Sequence, residues 1–368
     1  MASNSTLNSS TNSSSEDPFV RKSELANLED AIQYAYEGAD LNWILMSGVV
    51  VFFMQTGFAF VESGSVREKN YMNVLLKNLI DACCGAMVWF FWGFGLAYGN
   101  VNGGFMGTKY FAGLGLEEEG QYGNWFFQYA FACSAATIVS GSVAERISIN
   151  AYVIFSIWMT GVIYPIVVAW TWGQGWLYEA GFTDFAGSGI VHLTGGVSGL
   201  VAAIIVGPRL GKFRSIRENV DATNFDFRFG RFQESGLDAS GYHKRFKESG
   251  YDIVIDKYFK RDWDIARVHN FSRQYRLKLT DRKFMPHNNL SLLLGTLINW
   301  FTWLMFNGGS SLGIISEKSH DQAQISMVNT IMAPAAAGLT TFYFKKYIVR
   351  GDLMDLRMDF GGLCNGVQ

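Results

Sequence analysis

Cysteine is scarce in this chain: Cys83, Cys84, Cys133 and Cys364 are the four in 368 residues, and no two form a CxxC pair. Three of them lie inside apolar stretches, where a cysteine reads as a small buried apolar side chain. Charge of one sign is also not in excess. The net charge is -2 with a pI near 6.2, and the basic residues are local features, so no nucleic-acid partner is expected. The first forty residues are polar and contain no apolar core segment, which excludes a secretory signal peptide of the usual kind and leaves the first apolar stretch as its own insertion signal. Catalytic signatures are missing too. There is no phosphate-cradling glycine loop, no HExxH and no GxSxG, so the chain is not read as an enzyme and no cofactor or metal is expected.

What the sequence has in quantity is apolar surface, 49% of residues being hydrophobic and 15% aromatic, with 30 phenylalanines. The segregation of charge decides what that means. Seven stretches, 43–61, 79–98, 125–143, 151–172, 190–206, 290–306 and 326–344, carry almost no charge. Each is long enough to cross ~30 Å of hydrocarbon as a helix rising ~1.5 Å per residue. Strands of a membrane barrel would alternate apolar with polar, whereas these runs are apolar all round, so the expected fold class is all-α, a polytopic helical membrane protein.

The connections between spans give an orientation, because Lys and Arg concentrate in cytoplasmic loops. Arg67, Lys69 and Lys77 follow the first span, Arg146 follows the third, a densely basic segment follows the fifth, and Lys345, Lys346 and Arg350 follow the seventh. The intervening loops hold Glu117, Glu118 and Glu119, then Glu179 and Asp184, while the loop after the sixth span is balanced. That alternation places the N-terminus outside. The tail contains three Asn-x-Ser/Thr triplets, at Asn4, Asn8 and Asn12, which are glycosylation acceptors on that side and also a product of a Ser/Asn-rich composition. Four parts follow: an extracellular polar tail over 1–40, spans one to five over 41–207, a cytoplasmic insert over 208–286, and spans six and seven with a further segment over 287–368. The insert mixes aromatics with charge and has too few aliphatics for its own core.

Within the spans, a few residues stand out. His192, Gly196 and Gly199 fall at i, i+4 and i+7 and share a helical face. Two readings compete for that stripe: a GxxxG contact from Gly195 to Gly199 with His192 hydrogen-bonded between helices, or the border of a narrow lumen in which His192 touches a permeating species. Asp184, directly after Thr183 and before an apolar run, looks like a helix N-cap. Trp172 ends the fourth span as an interfacial anchor or as a cation–π surface in an acidic outer vestibule. Phe127 and Phe131 stand one turn apart, and the sixth span closes on Trp303, Phe306 and Ser310; phenylalanine at such positions is ordinarily core packing.

Four motifs, taken together, resemble the ammonium transporter family, the Amt, Mep and plant-type AMT proteins that are relatives of the Rh glycoproteins. They are GSVREKNYMN over 64–73, FACSAATIVSGSVAERI over 131–147, DFAGSGIVHLTGG with GPRLGKF over 184–213, and FNGGS over 306–310. The resemblance is strongest toward the plant-type branch. It implies an ammonium-recruiting outer site at Trp172 and Ser310 with Phe127 beside it. It further implies a gate of paired rings at Phe131 and Phe306, a pore histidine at His192, a pore-facing Trp303 and a structural acid at Asp184. It also implies a homotrimer in the lipid bilayer, with one hydrophobic pore per subunit built from an inverted repeat of eleven spans.

Two departures from that pattern are expected to matter. The chain ends at Gln368 within FGGLCNGVQ, a segment similar to the start of span eight, so a second lumen histidine on span ten is not in it; the insert between spans five and six is longer than the family's usual loop. The expected function is ammonium transport across the plasma membrane. The alternatives are a non-transporting ammonium sensor with the insert as output, and an inactive truncated product.

Overall fold

The computed structural model describes residues 18–209, 286–344 and 360–368. Residues 210–285, nearly all of the insert, lie outside the described residues, as do the three glycosylation triplets and the basic cluster Lys345, Lys346 and Arg350. The longer helices among the described residues are α1 (Pro18–Ser65), α2 (Glu68–Tyr98), α3 (Tyr122–Val143), α4 (Ile149–Trp170), α5 (Ser188–Val206), α6 (Asn289–Gly309), α7 (Glu317–Tyr343) and α8 (Phe360–Val367). Among the described residues there is no strand. Seven of the helices, α1 to α7, are long and apolar enough to cross a membrane, and their outward faces are studded with exposed aliphatics such as Leu79, Ile204, Ile205 and Leu290.

Helix boundaries overrun the apolar windows. α1 begins at Pro18, so part of the segment read as a polar tail is helix; nothing between Pro18 and Trp43 breaks it, and Gln33 donates to Glu37 one turn on at 2.9 Å. α7 begins at Glu317, nine residues ahead of its charge-free window, because Ser316 caps it by accepting from Ser319 N at 3.1 Å. α2 begins at Glu68. Lys77 is therefore not a loop residue, as its spacing suggested, but sits in the third turn of a helix, buried. Of the cysteines, Cys133 and Cys364 are buried as expected of small apolar side chains, whereas Cys83 is exposed on the outward face of α2.

α3 is the central helix, buried on all sides. α1 packs on it and on α6, α5 closes its other side, and α7 covers α6. The α1–α6 seam is tight because glycines meet across it: a Cβ on Gly295 would stand 2.6 Å from the Gly57 carbonyl, and one on Gly64 would stand 2.7 Å from Leu292 N. Connections alternate between two ends. At one, Arg67, Glu145 and Arg209 meet, and Arg146 donates to the Gly207 carbonyl at 2.6 Å. At the other, Gly103 N reaches the Gln174 carbonyl at 2.8 Å, and Asp40 accepts from Ile314 N and Ile315 N.

Candidate functional site

An aromatic column runs beside the start of α5. Phe127 and Phe131, at i and i+4 on α3, place their ring centroids 4.7 Å apart. Phe306 from the last turn of α6 stacks on Phe131 at 4.1 Å with 30° between the planes, and all three rings are at most 1% exposed. Each such pair contributes ~0.5–1.5 kcal/mol beyond its burial. At that separation no molecule fits between the Phe131 and Phe306 rings. Trp172 meets the edge of Phe131 at 5.9 Å, and on the other side His192 lies 5.4 Å from Phe306.

Trp172 is not in the fourth span, where the apolar window had placed it, but two residues beyond the end of α4 at Trp170. The helix stops there because Thr171 leaves helical geometry at φ -119°, ψ -93°, its hydroxyl returning to the Val167 carbonyl at 2.7 Å. The indole N–H then donates to the Asp184 carbonyl at 2.7 Å, which commits the polar edge of the ring and leaves its π face for other use. Beneath it Gly187 has φ +98°, and a Cβ there would meet the indole at 3.1 Å.

Asp184 caps the start of α5, as its position beside Thr183 suggested, but from three residues ahead of Gly187, which holds the N-cap position. Its Oδ1 accepts from Gly187 N at 2.8 Å and Ser188 N at 3.1 Å, and its Oδ2 from Gly189 N at 2.8 Å and Ile190 N at 2.9 Å. One carboxylate thereby satisfies four N–H groups at a helix start. α5 opens with a π-helical turn over Ser188–Leu193, which rotates everything after it relative to a regular helix.

After that turn the small residues divide between two faces of the regular helix Thr194–Val206. Gly195 and Gly199 pack on α3, where added Cβ atoms would stand 3.0 Å from the Ala135 carbonyl and 2.5 Å from Ser142 Oγ, whereas Gly196 has nothing within 4 Å. The GxxxG contact is present, but His192 is not hydrogen-bonded within it. Among the described residues no group hydrogen-bonds the imidazole, which is half-buried against Phe306. On α6, Ser310 donates to the Phe306 carbonyl at 2.7 Å, so its oxygen keeps lone pairs to offer, and Trp303 packs against the core with an indole N–H that has no partner among the described residues.

Sequence reasoning missed one buried group. Glu62, Lys77 and Asp81 sit together between α1 and α2 with Ser140 and Tyr152 around them. The signal was available, since Asp81 falls inside the apolar window 79–98 and Glu62 one residue past another.

Against known proteins, the model of the Ammonium Transporter Family matches residues 42–228 and 270–367. The chain belongs to the ammonium transporter family. The break in the match falls within the segment read as an insert. "Ammonium transporter 1 member 3" of Solanum lycopersicum is 32% identical over 360 residues, which is 93% of this chain and 62% of that protein. "Ammonium transporter 1 member 1" of Oryza sativa subsp. japonica is 45% identical over 327 residues, 83% of this chain and 52% of that protein. Among solved structures, the "Sensor Amt Protein" superposes with a TM-score of 0.67 at 28% identity, over 91% of this chain and 67% of that one. The chain spans about three fifths of the length of the curated relatives it matches. It is thus a multi-pass helical membrane protein of the ammonium transporter family, and its relatives are named as transporters rather than enzymes.

Proposed function

We propose that the chain carries ammonium, taken up as the cation and passed as ammonia or ammonium, across the plasma membrane, with its N-terminus outside, residues 208–286 in the cytoplasm and three copies forming a homotrimer. The observation that carries this reading is the order of groups along the aromatic column: Trp172 at one end, the stacked Phe131 and Phe306 rings next, His192 beyond. Trp172, its N–H already used, presents a π face to a cation, and Ser310 Oγ presents lone pairs to an N–H donor. Phe127 walls that outer site. Phe131 and Phe306 form a closed gate whose opening needs one ring to rotate. His192, with no partner for its nitrogens among the described residues, exchanges hydrogen bonds or a proton with what passes, and Trp303 lines the same face of α6. Asp184 acts through the fold, by holding the start of α5 and hence His192.

Uptake of radiolabelled ammonium analogue by cells lacking their own ammonium transport tests it. Trp172→Ala is expected to raise the half-saturating concentration roughly tenfold, the equivalent of the ~1–2 kcal/mol of a desolvated cation–π contact, and His192→Ala to lower the maximal rate. Uptake unchanged in both variants would remove the assignment. A second reading, an ammonium sensor, is favoured by the name of the superposed Sensor Amt Protein. It expects no uptake together with ammonium-dependent capture of a cytoplasmic partner by residues 208–286.

A further inference from the structure

Away from the aromatic column, the halves of α1 to α4 nearer Glu145 enclose a second polar group that none of the roles above uses. Glu62 of α1 is 6% exposed, and Lys77 and Asp81 of α2 are 3% and 0% exposed. Glu62 Oε2 accepts from Ser140 Oγ at 2.8 Å and from Asn78 Nδ2 at 3.4 Å. Asp81 Oδ2 accepts from the Tyr152 hydroxyl and lies 3.5 Å from Thr137 Oγ1. Lys77 Nζ sits 5.4 Å from the centre of the Tyr152 ring.

This group is short of two things. The first is positive charge, because two carboxyls face one ammonium. Among the described residues, the other titratable side chains within electrostatic reach of Asp81 are Cys84 on its own helix, Tyr129 and Cys133 on α3, and Tyr152 on α4. These are thiols and phenols, groups that carry no positive charge in any state. An unbalanced charge inside a membrane bundle costs several kcal/mol, and such sites neutralise it with a proton or a bound cation. The second shortage is hydrogen. Asp81 Oδ1 and Asn78 Oδ1, three residues apart on α2, are both buried acceptors without a donor among the described residues.

We propose that Glu62, Asp81 and Lys77 form a proton-binding site in which the carboxyl pair holds one exchangeable proton. One proton answers both shortages: it balances the charge of the pair against Lys77, and it supplies a donor where two acceptors have none. The two carboxyls act on each other electrostatically, so binding of the proton is a property of the pair even where Asp81 Oδ1 carries it. The site stands on burial, charge count and hydrogen-bond geometry, and it does not depend on the chain's being a transporter.

Infrared difference spectroscopy of the chain in lipid nanodiscs reads the proton directly, as a protonated-carboxyl C=O band that moves on deuterium exchange. The band is expected at neutral pH and is expected to disappear in both Glu62→Gln and Asp81→Asn, since a single acid facing Lys77 needs no proton. Lys77→Met is expected to increase its intensity about twofold, because both acids must then be neutral. Both amide variants are isosteric and are checked for a monodisperse profile; the unsubstituted chain is also titrated with sodium and potassium, a measurement that needs no variant. A neutral-pH spectrum without the band overturns the proposal. So does a band that survives both amide substitutions, which places the proton on another carboxyl, and so does a band that appears only when sodium and potassium are withdrawn, which makes the occupant a metal cation.

Discussion

Asp184 holds four backbone N–H groups with two oxygens, and that arithmetic sets what each substitution removes. Asp184→Ala leaves all four donors at the start of α5 to find water, a loss of ~1–2 kcal/mol on the scale of N-cap deletions. Asp184→Asn keeps one acceptor oxygen and turns an NH2 group toward the remaining donors, so it should fall between the two. Thermal unfolding in detergent measures this, and midpoints that coincide for Ala and the unsubstituted chain would show that the cap contributes nothing. The Trp172 indole survives either change, because it bonds the Asp184 main chain rather than its carboxylate. At this scale the sequence was informative where chemistry is local: Thr183 and Asp184 before an apolar run announce a cap. The partner of Trp172 could not be read, since a main-chain carbonyl twelve residues on leaves no trace in residue type.

Helices were legible by a different signal, the length of charge-free windows, and the same signal explains the errors. A window average finds the lipid-crossing middle of a helix and is blind to polar turns that continue it, which is why α2 begins at Glu68 and carries Lys77 into the bundle. The π-helical turn over Ser188–Leu193 was invisible for another reason: face arguments assume 3.6 residues per turn, and a wider turn shifts every later residue. The GxxxG pair Gly195 and Gly199, which the spacing did offer, carries the contact with α3, and Gly196 does not. This yields a comparison with its own control. Gly195→Ala brings a Cβ to 3.0 Å from the Ala135 carbonyl, a backbone atom that cannot rotate away, and should cost ~1–3 kcal/mol and push His192 away from Phe306. Gly196→Ala meets nothing within 4 Å and should be neutral or stabilising by up to ~1 kcal/mol, the helix propensity gain alone. Equal thermal midpoints and equal uptake in the two variants would mean that the α3–α5 approach is not set by these glycines.

For the whole molecule, the end of the bundle opposite Trp172 is clasped by one carboxylate. Glu145, in the turn between α3 and α4, takes the Arg67 backbone N–H at 3.1 Å, Arg67 Nε at 2.8 Å and Asn70 Nδ2 at 2.6 Å on Oε1, and Arg209 Nη1 on Oε2. It thereby joins the α1–α2 turn to the segment leaving α5. Burial alone would raise its pKa, but the hydrogen bonds from Arg67, Asn70 and Arg209 outweigh burial and lower it from 4.5 to about 2. The folded-state value is depressed, so the stabilisation is complete above the ordinary carboxyl range and is lost as pH falls from about 4.5 toward 2. Glu145→Gln keeps the size of the side chain but removes the charge that both guanidinium groups face. The unsubstituted chain in nanodiscs should lose thermal stability across that acid window, and the Gln variant should start lower and show a smaller decline there. Parallel stability curves for the two, from neutral pH down through the window, would mean that the clasp does not tie these connections together and that the helices alone hold this end closed.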